Sequence, residues 1–115
     1  MLMSLTYIPF EATLPAGTGV QITEPCPTGV INSVQIHWPA GCNGLVGVSV
    51  VLGGRQILPQ FGAAPLALDD TTPVYPLNLK KERYTDDLRV DMFNGDGAFA
   101  HHIVVVVGVE EDINK

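Results

Sequence analysis

The chain has 115 residues, 46% of them hydrophobic and only 16% charged, with a net charge of −6. That length holds one hydrophobic core rather than two, and so much apolar surface excludes intrinsic disorder. The acidic balance argues against nucleic acid as a partner, because phosphate binding needs clustered cations; only Lys80, Lys81 and Arg83 gather here, with Glu82 among them. The 12 Gly and 9 Pro suit short strands joined by turns better than a helical bundle.

The dominant hydrophobic period is two. Thr6, Ile8, Phe10, Ala12 and Leu14 alternate with Tyr7, Pro9, Glu11 and Thr13, which predicts a half-buried strand that Pro9 sends to a sheet edge. Gly17 to Glu24 is a second strand, with Val20 and Ile22 inward. Over Val30 to Trp38, one face carries Val30, Val34, Ile36 and Trp38, and the other Ile31, Ser33, Gln35 and His37. Leu45 to Leu52 places Val46, Val48, Val50 and Leu52 in one row. Gly53-Gly54 then turns the chain into a return strand, Arg55 to Gln60. Pro59 to Thr72 reads as a loop. Val74 to Leu79 is strand-like, preceded by Pro73 and broken by Pro76. Lys80 to Asp87 is polar enough for a helical turn or a charged loop. Leu88, Val90 and Met92 alternate with Arg89, Asp91 and Phe93, and Phe99 to Glu110 is a Val-rich final strand. Between them, Asn94-Gly-Asp-Gly97 carries hairpin chemistry. A four-residue turn there sets Leu88 opposite Ile103, Val90 opposite His101 and Arg89 opposite His102.

These elements predict an all-β chain: a single antiparallel β-sandwich domain of about eight strands spanning residues 1–115, jelly-roll-like in its topology. The prolines at 9, 73 and 76 then protect open sheet edges. One strand is unusual. Ile103, Val105 and Val107 make one face apolar, and Val104 and Val106 do the same for the other. A sandwich strand normally shows water a polar face. Either the N-terminal segment or the Pro59–Thr72 loop covers the second face, or another subunit does.

No catalytic signature emerges. His101 and His102 are neighbours in a strand and point to opposite faces, so they do not chelate one metal; one is expected at the core rim, the other outside near Arg89 and Asp91. His37 joins no ligand set. Asp69-Asp70 and Asp86-Asp87 lack the regular oxygen spacing of a calcium loop. Ser4, Ser33 and Ser49 lack a nucleophile-elbow frame. Trp38 lies on the apolar face of its strand, as a core residue rather than a sugar platform. Cys26 and Cys42 lack metal-site spacing and read as free thiols in a reducing compartment, with a disulfide joining their two loops as the alternative. No cofactor is expected. Met1 to Phe10 lacks a signal-peptide pattern, and the longest apolar run, Ile103 to Val109, falls far short of the about 20 residues that span a bilayer. Synthesis in the cytoplasm, with no membrane partner, is the expectation.

The stretch Val30-Ile-Asn-Ser-Val-Gln-Ile-His-Trp-Pro-Ala-Gly-Cys-Asn-Gly-Leu-Val-Gly-Val48, the later Gly54-Arg-Gln-Ile-Leu-Pro59, and the ending Asn94-Gly-Asp-Gly97 with His101-His-Ile-Val-Val-Val106 resemble small β-sandwich virion proteins of tailed bacteriophages. Several of these are capsid decoration, or cement, proteins. The resemblance implies a non-enzymatic virion component that stabilises a head lattice through multivalent apolar contacts. Its partners would be the major capsid protein or another virion protein, and further copies of itself, with a trimer matching local threefold axes. A neck or tail component (an adaptor or a fibre-associated module) and a carbohydrate-binding module are the alternatives. The expected contacts are Leu5, Tyr7, Pro9 and Phe10 in the N-terminal segment, Leu58, Phe61 and Leu66 in and beside the long loop, and Val104 and Val106 on the last strand.

Overall fold

The computed structural model describes residues 3–60, 63–80 and 87–112. Eight strands follow in chain order: β1 Met3–Leu14, β2 Gly19–Pro25, β3 Gly29–His37, β4 Val46–Leu52, β5 Arg55–Leu58, β6 Val74–Lys80, β7 Asp87–Asn94 and β8 His101–Asp112. They form two four-stranded antiparallel sheets, ordered β1-β8-β3-β6 and β2-β7-β4-β5. The first strand pairs with the last, the second with the seventh, the third with the sixth and the fourth with the fifth. This is a long hairpin rolled into two layers, the topology of the eight-stranded jelly roll. Among the described residues no helix is long and apolar enough to cross a membrane.

Period-two patterning explains the core. Phe10 and Leu14 of β1, Val34 and Ile36 of β3, Val46, Val48 and Val50 of β4, Leu88 and Val90 of β7, and Ile103 to Val109 at alternate positions of β8 all turn inward and are buried. Trp38 is fully enclosed, and its indole Nε1–H donates to the Val46 carbonyl at 2.9 Å, so the ring's polar end is satisfied inside the core. On β3 the alternation slips at one point. A bulge between Ile31 and Ser33 sends Ile31, not Val30, into the core. The extra residue lets Asn32 and Ser33 straddle Gly108 on the outer side.

The Gly53-Gly54 turn joins β4 to β5 as expected, with Leu52 opposite Arg55. Both glycines have positive φ, at 59° and 83°. The second hairpin does not form. β7 and β8 lie in different sheets, so the pairing of Leu88 with Ile103, of Val90 with His101 and of Arg89 with His102 is corrected: Leu88 faces Glu24 and Leu52, whereas Ile103 faces Ala12. The 94–97 segment carries the chain across the sandwich instead. Asn94 is fully buried there. Its Nδ2 donates to the carbonyls of Leu14 and Phe99 at 3.0 and 2.9 Å, and its Oδ1 accepts from the Asp96 amide at 2.9 Å. One side chain thus ties the β1–β2 crossing to the β7–β8 crossing.

The 59–72 segment runs along one side of the sandwich. Leu66 exchanges two backbone hydrogen bonds with Val48, and Thr71 two with Trp38, carrying the chain from the β4 edge to the β3 edge. The Gln56 side chain donates to the carbonyls of Pro59, Gln60 and Ala63, pinning the start of the segment. The polar stretch expected as a helical turn falls largely on residues 81–86, outside the described residues.

Candidate interaction surface

The outer face of the β1-β8-β3-β6 sheet collects most of the expected contacts. Register sets its rows. Tyr7 lies opposite Gly108 and Pro9 opposite Val106, while Glu11 lies opposite Val104 and Leu5 opposite Glu110. Across β8, Val106 faces Gln35 and Val104 faces His37; beyond β3, Gln35 meets Val74 and Ser33 meets Pro76. Leu5 is 47% exposed, Tyr7 60% and Val74 57%. Val104 and Val106 are half-buried, walled only by their strand neighbours. The N-terminal segment is β1 of the same sheet, and the long loop packs beside β4 and β3. Neither supplies the intramolecular cover that the two-faced apolar strand suggested.

The remaining expected contacts separate from this face. Phe10 is 1% exposed and Leu58 8%, both in the core, because each occupies an inward position of its strand. These two are corrected: they hold the sandwich together and offer nothing to a partner. Leu66 is half-buried against β4, and Phe61 lies outside the described residues. Val74 and Pro76 were missed as surface residues. Their outward position follows from alternation with Tyr75, Leu77 and Leu79, which pack on the core.

Chemistry concentrates at one end of the sandwich and is structural. Asp96 accepts from the Ala98 and Phe99 amides and bonds His101 Nε2 at 2.9 Å. The hydrogen bond from His101 and those turn amides hold the Asp96 carboxyl below its ordinary pKa. Asp69 accepts from the Gly41 and Asn43 amides, fixing the β3–β4 loop above His101. Cys42 is buried in that loop. Burial and the charges of Asp69 and Asp96 push its thiol pKa up, the reverse of what an activated nucleophile needs. Cys26 is also buried and free of a disulfide. Among the described residues no cluster of three or more His, Cys, Asp or Glu could hold a metal ion. His101 sits at the core rim as expected. His102 is outside but beside Glu11 and Thr13, not Arg89 and Asp91, because β8 pairs with β1. His37 Nδ1 bonds the Thr72 hydroxyl at 2.7 Å.

The opposite sheet presents a different outer face. Arg89 and Asp91 of β7 pair at 2.8 Å, and Pro65 packs over Gly47. Between Gly19, Gln21, Ser49, Pro65, Asp91 and Phe93 lies a shallow depression of about 310 Å³, open to solvent.

No family model matches the sequence, and no curated protein is similar to it. Among solved structures, the chain is similar in fold to part of a chain in the structure of infectious bursal disease virus, Gx strain, at 16% identity and a TM-score of 0.45. The match covers 98% of this chain and 33% of that one, so this chain spans about a third of the length of the protein it matches.

Proposed function

We propose that this chain is a non-enzymatic structural protein of a virion, most specifically a capsid decoration protein that docks through the outer face of its β1-β8-β3-β6 sheet. One observation carries the reading: the central strand of that sheet carries apolar residues on both sides, and its outer pair, Val104 and Val106, is only half-buried. Folding uses the inner row alone, so the outer row of Val104 and Val106, with Leu5, Tyr7 and Pro9 beside it, is available to bury against a partner. Glu11 and Glu110 interrupt this row, so the fitting partner surface is apolar with cations at its edge, as a major capsid protein can present.

The size of such a face favours repetition. A patch of about 400 Å² at about 25 cal/mol per Å² gives about 10 kcal/mol, the same order as the about 4–15 kcal/mol lost on association. Many copies on one lattice supply the rest. The jelly roll also builds lectins. Of the aromatic rings a carbohydrate platform would use, Trp38 is enclosed and Tyr7 is exposed on the docking face itself.

Co-sedimentation of the purified chain with capsids of the virus whose genome encodes it tests the proposal. Wild type is expected to pellet with heads that carry no tails, and a Tyr7→Glu, Val106→Glu variant to stay in the supernatant while keeping its fold. Binding only to tailed particles would move the chain to the neck or tail, and no binding to either would remove the virion reading.

A further inference from the structure

We infer that the outer edge of β2 is a self-pairing site, at which two copies of this chain join their β2-β7-β4-β5 sheets into one continuous sheet about a twofold axis through Gln21. This inference stands on the sheet opposite the docking face and does not depend on it.

The direction of each backbone group in β2 follows from its pairing with β7. The Asn94 amide donates to the Thr18 carbonyl, and the Gly53 amide to the Asp87 carbonyl. Even-numbered residues of β7 therefore address β2 and odd-numbered ones address β4, because backbone groups alternate sides along an antiparallel strand. Register sets Val20 opposite Met92, Ile22 opposite Val90 and Glu24 opposite Leu88. Those three residues of β2 spend their N–H and C=O groups on β7. Gly19, Gln21 and Thr23 turn theirs away from the sheet. All three are exposed, and among the described residues no hydrogen bond reaches those outward groups.

The other edges are interrupted by proline or short, whereas β2 keeps its one proline, Pro25, and its one charge, Glu24, at its end. Pro9 sits within β1 and Pro76 within β6, the two edge strands of the other sheet, and β5 is four residues long. From Gly17 to Thr23 there is neither a proline nor a charge, in a chain of net charge −6. That neutrality matters most for a second copy, since any other charged stretch of this acidic chain would repel itself.

The edge is also complementary to itself. With Gln21 on the axis, Gly19 of one copy falls opposite Thr23 of the other, Gln21 opposite Gln21, and Thr23 opposite Gly19. These are three pairs with two backbone bonds in each. The same register sets Val20 beside Ile22 of the second copy on the inner side, where both are half-buried and packed on the core. Pairing would complete their burial.

Light scattering on the full chain across a concentration series is the test. Wild type is expected to show a monomer–dimer equilibrium. Gln21→Pro deletes an N–H that points outward and leaves the bonds to β7 in place. It is expected to weaken dimerisation at least tenfold with thermal unfolding nearly unchanged. A Gln21→Cys variant reports the register without relying on proline: directly opposed Cα atoms lie about 5.5 Å apart, within disulfide range. Mild oxidation should link Gln21→Cys into a covalent dimer and leave Thr23→Cys, which faces Gly19, unlinked. A wild type that is monomeric throughout, a trimeric mass, or equal cross-linking of the two cysteine variants would overturn the inference. A Tyr7→Glu, Val106→Glu variant should dimerise like wild type, which separates this edge from the docking face.

Discussion

Strands β7 and β8 occupy equivalent places, each second in its sheet and flanked on both sides. Their inner rows are alike: Leu88, Val90 and Met92 on one, Ile103, Val105, Val107 and Val109 on the other, all buried. Their outer rows differ in the middle. β7 shows water Arg89 and Asp91, paired at 2.8 Å, with Phe93 beyond them, whereas β8 shows Val104, Val106 and Gly108 between His102 and Glu110. The fold therefore asks only for the inner row. An apolar outer row on β8 adds nothing that β7 lacks for stability, which is why it is read as a surface kept for a partner.

Changes to the inner rows carry the largest expected effect. Ile103→Ala on β8 and Leu88→Ala on β7 should each cost about 2–5 kcal/mol in denaturant unfolding, since both leave a cavity in one shared core. A loss below about 1 kcal/mol for either would break the equivalence of the two strands. Next comes Asn94→Ala, at the crossing that links them. It removes the side-chain hydrogen bonds to Leu14, Pro15, Phe99 and Asp96 and leaves buried backbone partners unmatched, for an expected loss of about 3 kcal/mol. Smaller effects belong to the outer rows. Arg89→Ala and Val106→Thr should each change unfolding stability by less than about 1 kcal/mol, but only Val106→Thr should weaken the capsid binding proposed above.

The smallest effect is a pH dependence at the same crossing. The His101 hydrogen bond and the turn amides lower the Asp96 pKa in the folded state relative to its ordinary value of 3.8. Its contribution is thus full above the unfolded value and disappears as pH falls through the lower folded one. Unfolding midpoints measured from neutral pH downward should decline more steeply below about pH 4 for wild type than for Asp96→Asn.

Much of this architecture was legible in the chain itself because alternation is a local property. The inward rows of β1, β4 and β7, the Gly53-Gly54 turn, the enclosed Trp38 and the edge position of Pro9 all follow from neighbouring residues. So does the mistake over Phe10: the same alternation that faces Tyr7 and Pro9 outward faces Phe10 inward, and no residue of that strand serves both sides. Val30 and Ile31 were exchanged because a bulge shifts the period by one residue, and a bulge depends on the partner strand.

What tertiary structure alone decided is which strand lies beside which. Asn94-Gly-Asp-Gly97 has hairpin chemistry, yet its strands part into different sheets because Asn94 is held by Leu14 and Phe99, one of them 80 positions away. That choice places β8 between β1 and β3, and so brings Val104 and Val106 beside Leu5, Tyr7 and Pro9; it also leaves the edge of β2 open. By itself the sequence determined the two faces of each strand, since side-chain direction alternates residue by residue. It did not determine the surfaces those faces build, since strand order is set by long-range packing and by the few buried polar groups that must find partners across the sandwich.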